Sequence, residues 1–242
     1  MSSPVPLQSD RHANLKIATS DDYSRYKDQN LVPIVVPDFF TLAAEYPLVF
    51  VHNAVSGELA PVAMMGLKEG QNLYCQSKEW PSQLVPLSFN NGPFSIARTD
   101  TGDEQFVVLI DEESSLLSEA EGEALFAESG EKSDYLEKKI DAVIQVAQKS
   151  INTQGVCKYL SNKGLFSTQQ VQLQFRPNTE KYNINGVYTI NEEALNALSD
   201  ADYLELRKKG LLALIYAHLV SLQQLHRILK MQYEVDRDAA AR

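Results

Sequence analysis

The segment GLLALIYAHLVSLQQLHRILK, residues 210 to 230, decides how the chain is read. On a helical wheel of about 100° per residue, Leu211, Ile215, Leu222, Leu225 and Leu229 fall within roughly 80° of arc. A stripe that wide belongs to a helix that buries one side. His218 lies inside the stripe. His226 sits about 80° around the axis and ~12 Å along it, so one straight helix cannot bring both imidazoles to one metal. Helical metal pairs stand at i and i+4. Two readings of His218 remain. It is an acid–base group with a burial-shifted pKa, or a neutral core histidine held by hydrogen bonding.

Outward from this helix the chain alternates in texture. Ser199, with Asp202 three residues on, opens a helical region like a capping box with Asp in place of Glu, and Gly210 interrupts it. Upstream, VQLQF (171–175) alternates strictly and YNINGVYTI (182–190) is rich in β-formers. RPNTEK between them supplies turn chemistry, so a hairpin is predicted. Ser133 reads as the N-cap of a helix with Asp134 and Glu137 in its first turns. Leu136, Ile140, Val143, Ile144, Ala147 and Ile151 give it one apolar face. It is predicted to run to Leu160, weakened at Gly155, with a stop at Gly164.

Between 31 and 110 the runs LVPIVV, YPLVFVHN, APVAMMGL, QNLYCQ, FSIART and QFVVLID predict five to seven short strands. Pro37, Gly57, Gly70, Asn91-Gly92 and Gly102 separate them, and NAVSGEL (53–59) reads as a hairpin turn. Residues 1–30 read as polar and irregular. The order predicts an α+β fold: a β-rich N-terminal region, a β-hairpin, and C-terminal helices packed on it. A single domain over 1–242 is expected, β-rich over 1–110, an acidic loop over 111–132, and helix, hairpin and helices over 133–242.

The net charge is −10, from 32 acidic and 22 basic residues. That sign argues against nucleic acid, whose affinity comes from Lys and Arg at phosphates, and against anionic membrane surfaces. Residues 100–137 hold thirteen acidic residues and one basic, Lys132, while the rest of the chain is slightly positive. The middle of this stretch lacks steady periodicity and reads as a long surface loop with a helical turn. Asp111, Glu112, Glu113, Glu119, Glu121 and Glu123 are its candidate contact surface for a basic protein partner, since a single-sign field steers association. Solubility alone is the plainer reading. A calcium loop fails, because Leu116 and Gly122 stand where an EF-hand counted from Asp111 needs Gly and Glu.

Cys75 and Cys157 make no CxxC pair, so a zinc or redox site has no support, and neither a metal nor a cofactor is expected; the count suits free thiols in a reducing compartment, with a single disulfide between the two left open. The N-terminus MSSPVPLQSDRHANL lacks a basic and an apolar signal region. The longest apolar run, Leu211 to Ala217, is far short of the ~20 residues of a membrane span. A cytoplasmic location without membrane insertion is expected. His12, among Asp10, Arg11 and Asn14, either lines a site or pins its segment. His52 reads as a surface residue. Asp111 closes the strand FVVLI, where α/β enzymes often keep a carboxylate. No phosphate loop, dinucleotide fingerprint or nucleophile elbow is present.

RHANLKI, LVPIVVPDF, YPLVFV with PVAMMGL, NLYC with a following Trp, LIDEESSLLS with EGEALF, and ALSDADYLELRKKGLLALIYAHLVSLQQL occur in one collinear order. Together they resemble the bacterial SapC family over nearly the whole chain. The resemblance implies a role in handling or exporting surface-layer or other cell-envelope proteins. Related genes beside outer-membrane receptor and flavin-dependent halogenase-like genes point to an accessory role in uptake or metabolism. It carries over no catalytic residues, although His12, Asn14, Asp111, Tyr216 and His218 fall inside the motifs. The expectation is a non-enzymatic accessory or binding protein that works through protein contacts. The alternative is a small-molecule binder or enzyme with a site between the β-rich part and the C-terminal helix, using His218 or His12 with Asp111. A structural domain in an oligomer is the third reading, and the oligomeric state stays open.

Overall fold

Short β-branched runs become strands and the long apolar periods become helices. The computed structural model describes residues 4–18, 20, 22–53, 56–76, 80–98 and 106–241. The strands are β1 (Val5–Pro6), β2 (Lys16–Ile17), β3 (Leu31–Pro33), β4 (Leu48–His52), β5 (Leu59–Met64), β6 (Phe94–Arg98), β7 (Phe106–Ile110), β8 (Leu117–Ser118), β9 (Glu123–Ala124), β10 (Phe166–Gln174) and β11 (Lys181–Ile190). The helices are α1 (Ser9–His12), α2 (Asp38–Leu42), α3 (Asp134–Asn162), α4 (Glu192–Asn196), α5 (Asp200–Lys208), α6 (Leu211–Ser221) and α7 (Leu225–Ala240). This is an α+β protein.

The chain divides into two compact units, and the division falls inside α3. The first unit is Met1–Asp21 with Leu87–Gln148, and the second is Asp22–Pro86 with Lys149–Arg242. The first unit holds two three-stranded sheets, β1-β7-β6 and β8-β2-β9, all antiparallel. Ile17, Phe94, Ile110, Leu125 and Leu136 form its core. The second unit holds the antiparallel sheet β10-β11-β4-β5-β3. Helix α6 packs on β4, β11 and α2 there.

Ser133 caps α3 by accepting the Leu136 N–H at 3.1 Å, and Gly164 ends the run at φ 68°, a conformation that L side chains avoid. The helix passes Leu160 to Asn162. The hairpin β10–β11 pairs Phe166 with Ile190 through to Gln174 with Lys181, and Asn178 turns it at φ 70°. Asp202 N–H donates to Ser199 Oγ at 3.1 Å, as the capping pattern requires. Among the described residues, strands β3 to β7 are the five in the 31–110 region. QNLYCQ is not a sixth. Asn72 Oδ1 accepts the Tyr74 N–H at 2.9 Å, and this local bond holds Leu73–Cys75 in a 3₁₀ turn. The turn NAVSGEL joins β4 to β5, with Asn53 N–H on Glu58 O at 2.8 Å; Ala54 and Val55 lie outside the described residues, as does Gly102.

Three expectations change. The stretch after Asp111 is not a loop with a helical turn. It supplies β8 and β9, which flank β2, and buries Leu116, Leu125 and Phe126 in the first unit's core. Gly122 lets the turn between them approach: a Cβ there would stand 2.3 Å from Ile17 O. Residues 1–30, read as irregular, contain β1, α1 and β2. The segment 210–230 is not one uninterrupted α-helix, since a 3₁₀ turn at Leu222–Gln224 separates α6 from α7.

Candidate functional site

Helix α1 places His12 in the first unit's interior, 1% exposed. Its Nε2 lies 2.9 Å from Glu112 Oε1, and its Nδ1 lies 3.0 Å from Gln8 N and 2.9 Å from Gln8 O. Arg11 takes the other Glu112 oxygen. The His12 hydrogen bond, reinforced by the Arg11 charge, lowers the Glu112 pKa below its ordinary value. His12 thus ties the N-terminal segment to the end of β7. Asp111 is half-buried and spends an oxygen on its own turn, accepting the Glu113 N–H at 3.1 Å. Asn14 is exposed in the turn after α1.

The net charge of the protein belongs to this unit. It carries sixteen acidic and six basic residues, whereas the second carries sixteen of each. Glu113, Glu119, Glu121 and Glu123 are exposed, and Lys16 Nζ on Ala120 O at 3.0 Å fastens the turn that bears them. An open cavity of about 870 Å³ lies in the same unit, with Leu7 and Phe126 as its apolar part. Asp10, Glu131, Asp134 and Glu137 line it against one cation, Lys132. None of the four is among the six residues singled out from the sequence, although Glu131 lies within the acidic stretch 111–132. Asp134 and Glu137 read as helix-capping residues, and nothing local links Asp10 to Glu131.

In the second unit His218 is fully buried on α6. The β11–β4 ladder pairs Val187 with Val51 and Tyr188 with Phe50, then stops. The imidazole stands where the next bonds would form. Ile190 N–H donates to Nε2 at 3.1 Å, and Nδ1–H donates to Leu48 O at 2.8 Å. Leu48 N–H donates to Ser221 Oγ at 3.0 Å, and Ser221 Oγ–H donates to His218 O at 2.6 Å. The accepting Nε2 fixes the neutral Nδ1–H tautomer. Burial pushes the pKa down to about 4. Both ring nitrogens are engaged by main chain, so the ring is a strand mimic and not a poised base. His226 is exposed, and His52 Nε2 meets the Tyr188 hydroxyl at 3.0 Å.

Tyr216 is 48% exposed on α6, with its pKa raised by hydrogen bonding to Tyr203. A further network went unseen in the sequence. Lys68 Nζ reaches Asp236 at 3.0 Å and Glu180 at 3.3 Å, and Tyr182 donates to Asp236, tying β11 to α7. These residues are far apart in the chain and belong to no local motif. Among the described residues no group of three or more His, Cys, Asp or Glu is placed to hold a metal, and no helix is long and apolar enough to cross a membrane.

The SapC family model matches residues 7–228. The chain belongs to the SapC family. No match is found among curated proteins or among solved structures. For this SapC member, His12, Asn14, Asp111, Tyr216 and His218 all lie inside the matched span.

Proposed function

We propose that the protein is a non-enzymatic accessory protein that docks a basic segment of a protein partner on the acidic face of its first unit. The observation that carries this reading is the concentration of charge. One unit has a net charge of −10 and the other is neutral. The charged unit contains an open cavity with four carboxylates against one lysine. A field of one sign steers an oppositely charged partner, and an apolar floor of Leu7 and Phe126 offers it side-chain contact. The buried histidines support a binding role over a catalytic one, since each ring is committed to holding its own unit together.

The setting we assign to the partner is cell-envelope or surface-layer protein handling, or an outer-membrane uptake system, following the family resemblance. A cytoplasmic location accords with the free thiols. Burial pushes Cys75 up to about 11 and Cys157 up to about 12, so both are held as thiols, the weakly nucleophilic form, at neutral pH. The test is affinity capture from cells of the source organism, using the full chain and its D10N/E131Q/D134N/E137Q variant. The wild type should retain a protein with a Lys- and Arg-rich segment, released by raised salt, and the variant should not. Equal capture by both would remove the cavity from the account.

A further inference from the structure

A second cavity, of about 350 Å³, lies wholly within the second unit. Its floor is one face of the sheet. Val187 pairs with Val51 and Gln169, so Val49 and Thr189, two residues along, and Ser167 stand on the same side. All of these but Val51 line the cavity. The wall opposite is Leu219, Leu222 and Leu225, which come from α6, the 3₁₀ turn and the start of α7. Three leucines spaced three residues apart across this turn thus line the cavity together. The sheet is parted at the same place. His218 and Ser221 occupy the main-chain groups of Leu48 that would otherwise continue the ladder, and Val49, Thr189 and Ile190 at the parted end all line the space.

The polar groups of the lining divide in two. Gln169 donates to Ser167 at 3.0 Å, and Asn191 caps α4 by accepting the Ala194 N–H at 3.1 Å. Thr189, a residue 7% exposed, lines the cavity, and among the described residues its hydroxyl forms no hydrogen bond, so it stays open to a ligand or to solvent. Glu192 and Glu193 are exposed at the rim, and among the described residues neither joins an ion pair. Among the described residues no Lys, Arg or His lines the cavity. Volume, aliphatic walls and few polar groups are the marks of a small-molecule site. Two carboxylates at the mouth set the sign of the head group, and the Thr189 hydroxyl on the lining offers it a hydrogen bond.

We propose that this cavity binds a small amphiphile with an aliphatic body and a cationic, hydrogen-bonding head. The body replaces water between the leucines and Val49, Met64 and Val187. The head is held by the Glu192 and Glu193 carboxylates, with the Thr189 hydroxyl within the cavity. His218 is a positioning residue here, because it holds the strands apart and anchors α6.

The test is calorimetric titration of the full chain at neutral pH with n-octylammonium, n-octanoate and 1-octanol. Octylammonium should saturate one site, about tenfold more tightly than octanoate. E192Q/E193Q should erase that preference and keep octanol binding. L219W should fill the space and abolish binding of all three. Should L219W disturb the fold, Q169W obstructs the same cavity from its half-buried side and should give the same loss with circular dichroism unchanged. The proposal is overturned if octanoate binds as well as octylammonium, if none of the three binds saturably, or if a folded occluding variant retains affinity. The first unit's D10N/E131Q/D134N/E137Q variant should keep full octylammonium affinity. Loss there would place the site in the other unit and also overturn it.

Discussion

At the scale of single residues, His218 shows how a group that looks chemical becomes structural. Its ring is neutral, enclosed, and bonded on both sides to main chain, with its pKa pushed from 6.5 to about 4 by burial. The unfolded chain therefore takes up a proton first as the pH falls. The stability this residue gives is complete above pH 6.5 and is lost as the pH falls towards 4. Between pH 7.5 and pH 5 the second unit should lose about 2 kcal/mol from this source. Trp80, the single tryptophan, belongs to that unit and reports its urea unfolding by fluorescence. H218L should cost about 3 kcal/mol at pH 7.5, because Ile190 N–H and Leu48 C=O lose their partner. It should also flatten the pH dependence. A variant as stable as wild type, or one with the same acid slope, would show that the ring is not a strand mimic. The sequence placed His218 in the buried stripe but could not show what it meets, since Leu48 and Ile190 are distant in the chain.

At the scale of elements, legibility follows length and local chemistry. The α3 helix, the β10–β11 hairpin and the Ser199 cap were legible because their signals lie within a few residues. S199A should lower stability by about 1 kcal/mol, read from the Trp80 unfolding midpoint. The two-residue strands were not legible, since no period shows in so short a run. The acidic stretch hid its structure for another reason: Leu116, Leu125 and Phe126 anchor it at irregular spacing among carboxylates. Gly122 is the residue that lets it close on β2. G122A would set a Cβ 2.3 Å from Ile17 O in a backbone conformation of φ 115° that alanine resists. Amide exchange at Lys16 and Ile17 should speed up by at least tenfold in that variant. Unchanged protection would mean that β8 and β9 are not held as described.

For the whole molecule, the separation of charge matters most. Sequence reading located the acidic run, but it could not assign Asp10 or the basic residues to one unit or the other. Folding sorts them: an acidic first unit with an open cavity, and a neutral second unit with an aliphatic one. Of the six acidic residues first singled out, Glu112 is paired with Arg11 and hydrogen-bonded to His12, and Asp111 turns to its own backbone. The contact surface we propose therefore keeps Glu113, Glu119, Glu121 and Glu123 of those six and adds the carboxylates that line the cavity. Contacts made by such a face weaken with salt, because screening shortens to ~8 Å at physiological ionic strength.

The central claim is that this face binds a basic polypeptide. The direct measurement is fluorescence anisotropy of a labelled Lys- and Arg-rich decapeptide titrated with the full chain over a range of ionic strength. Wild type should bind with an affinity that falls as salt rises, D10N/E131Q/D134N/E137Q should weaken it at least tenfold, and neutralising Glu58, Glu69, Glu180 and Glu234 in the second unit should leave it unchanged. Equal weakening by both sets, or by neither, would contradict the account.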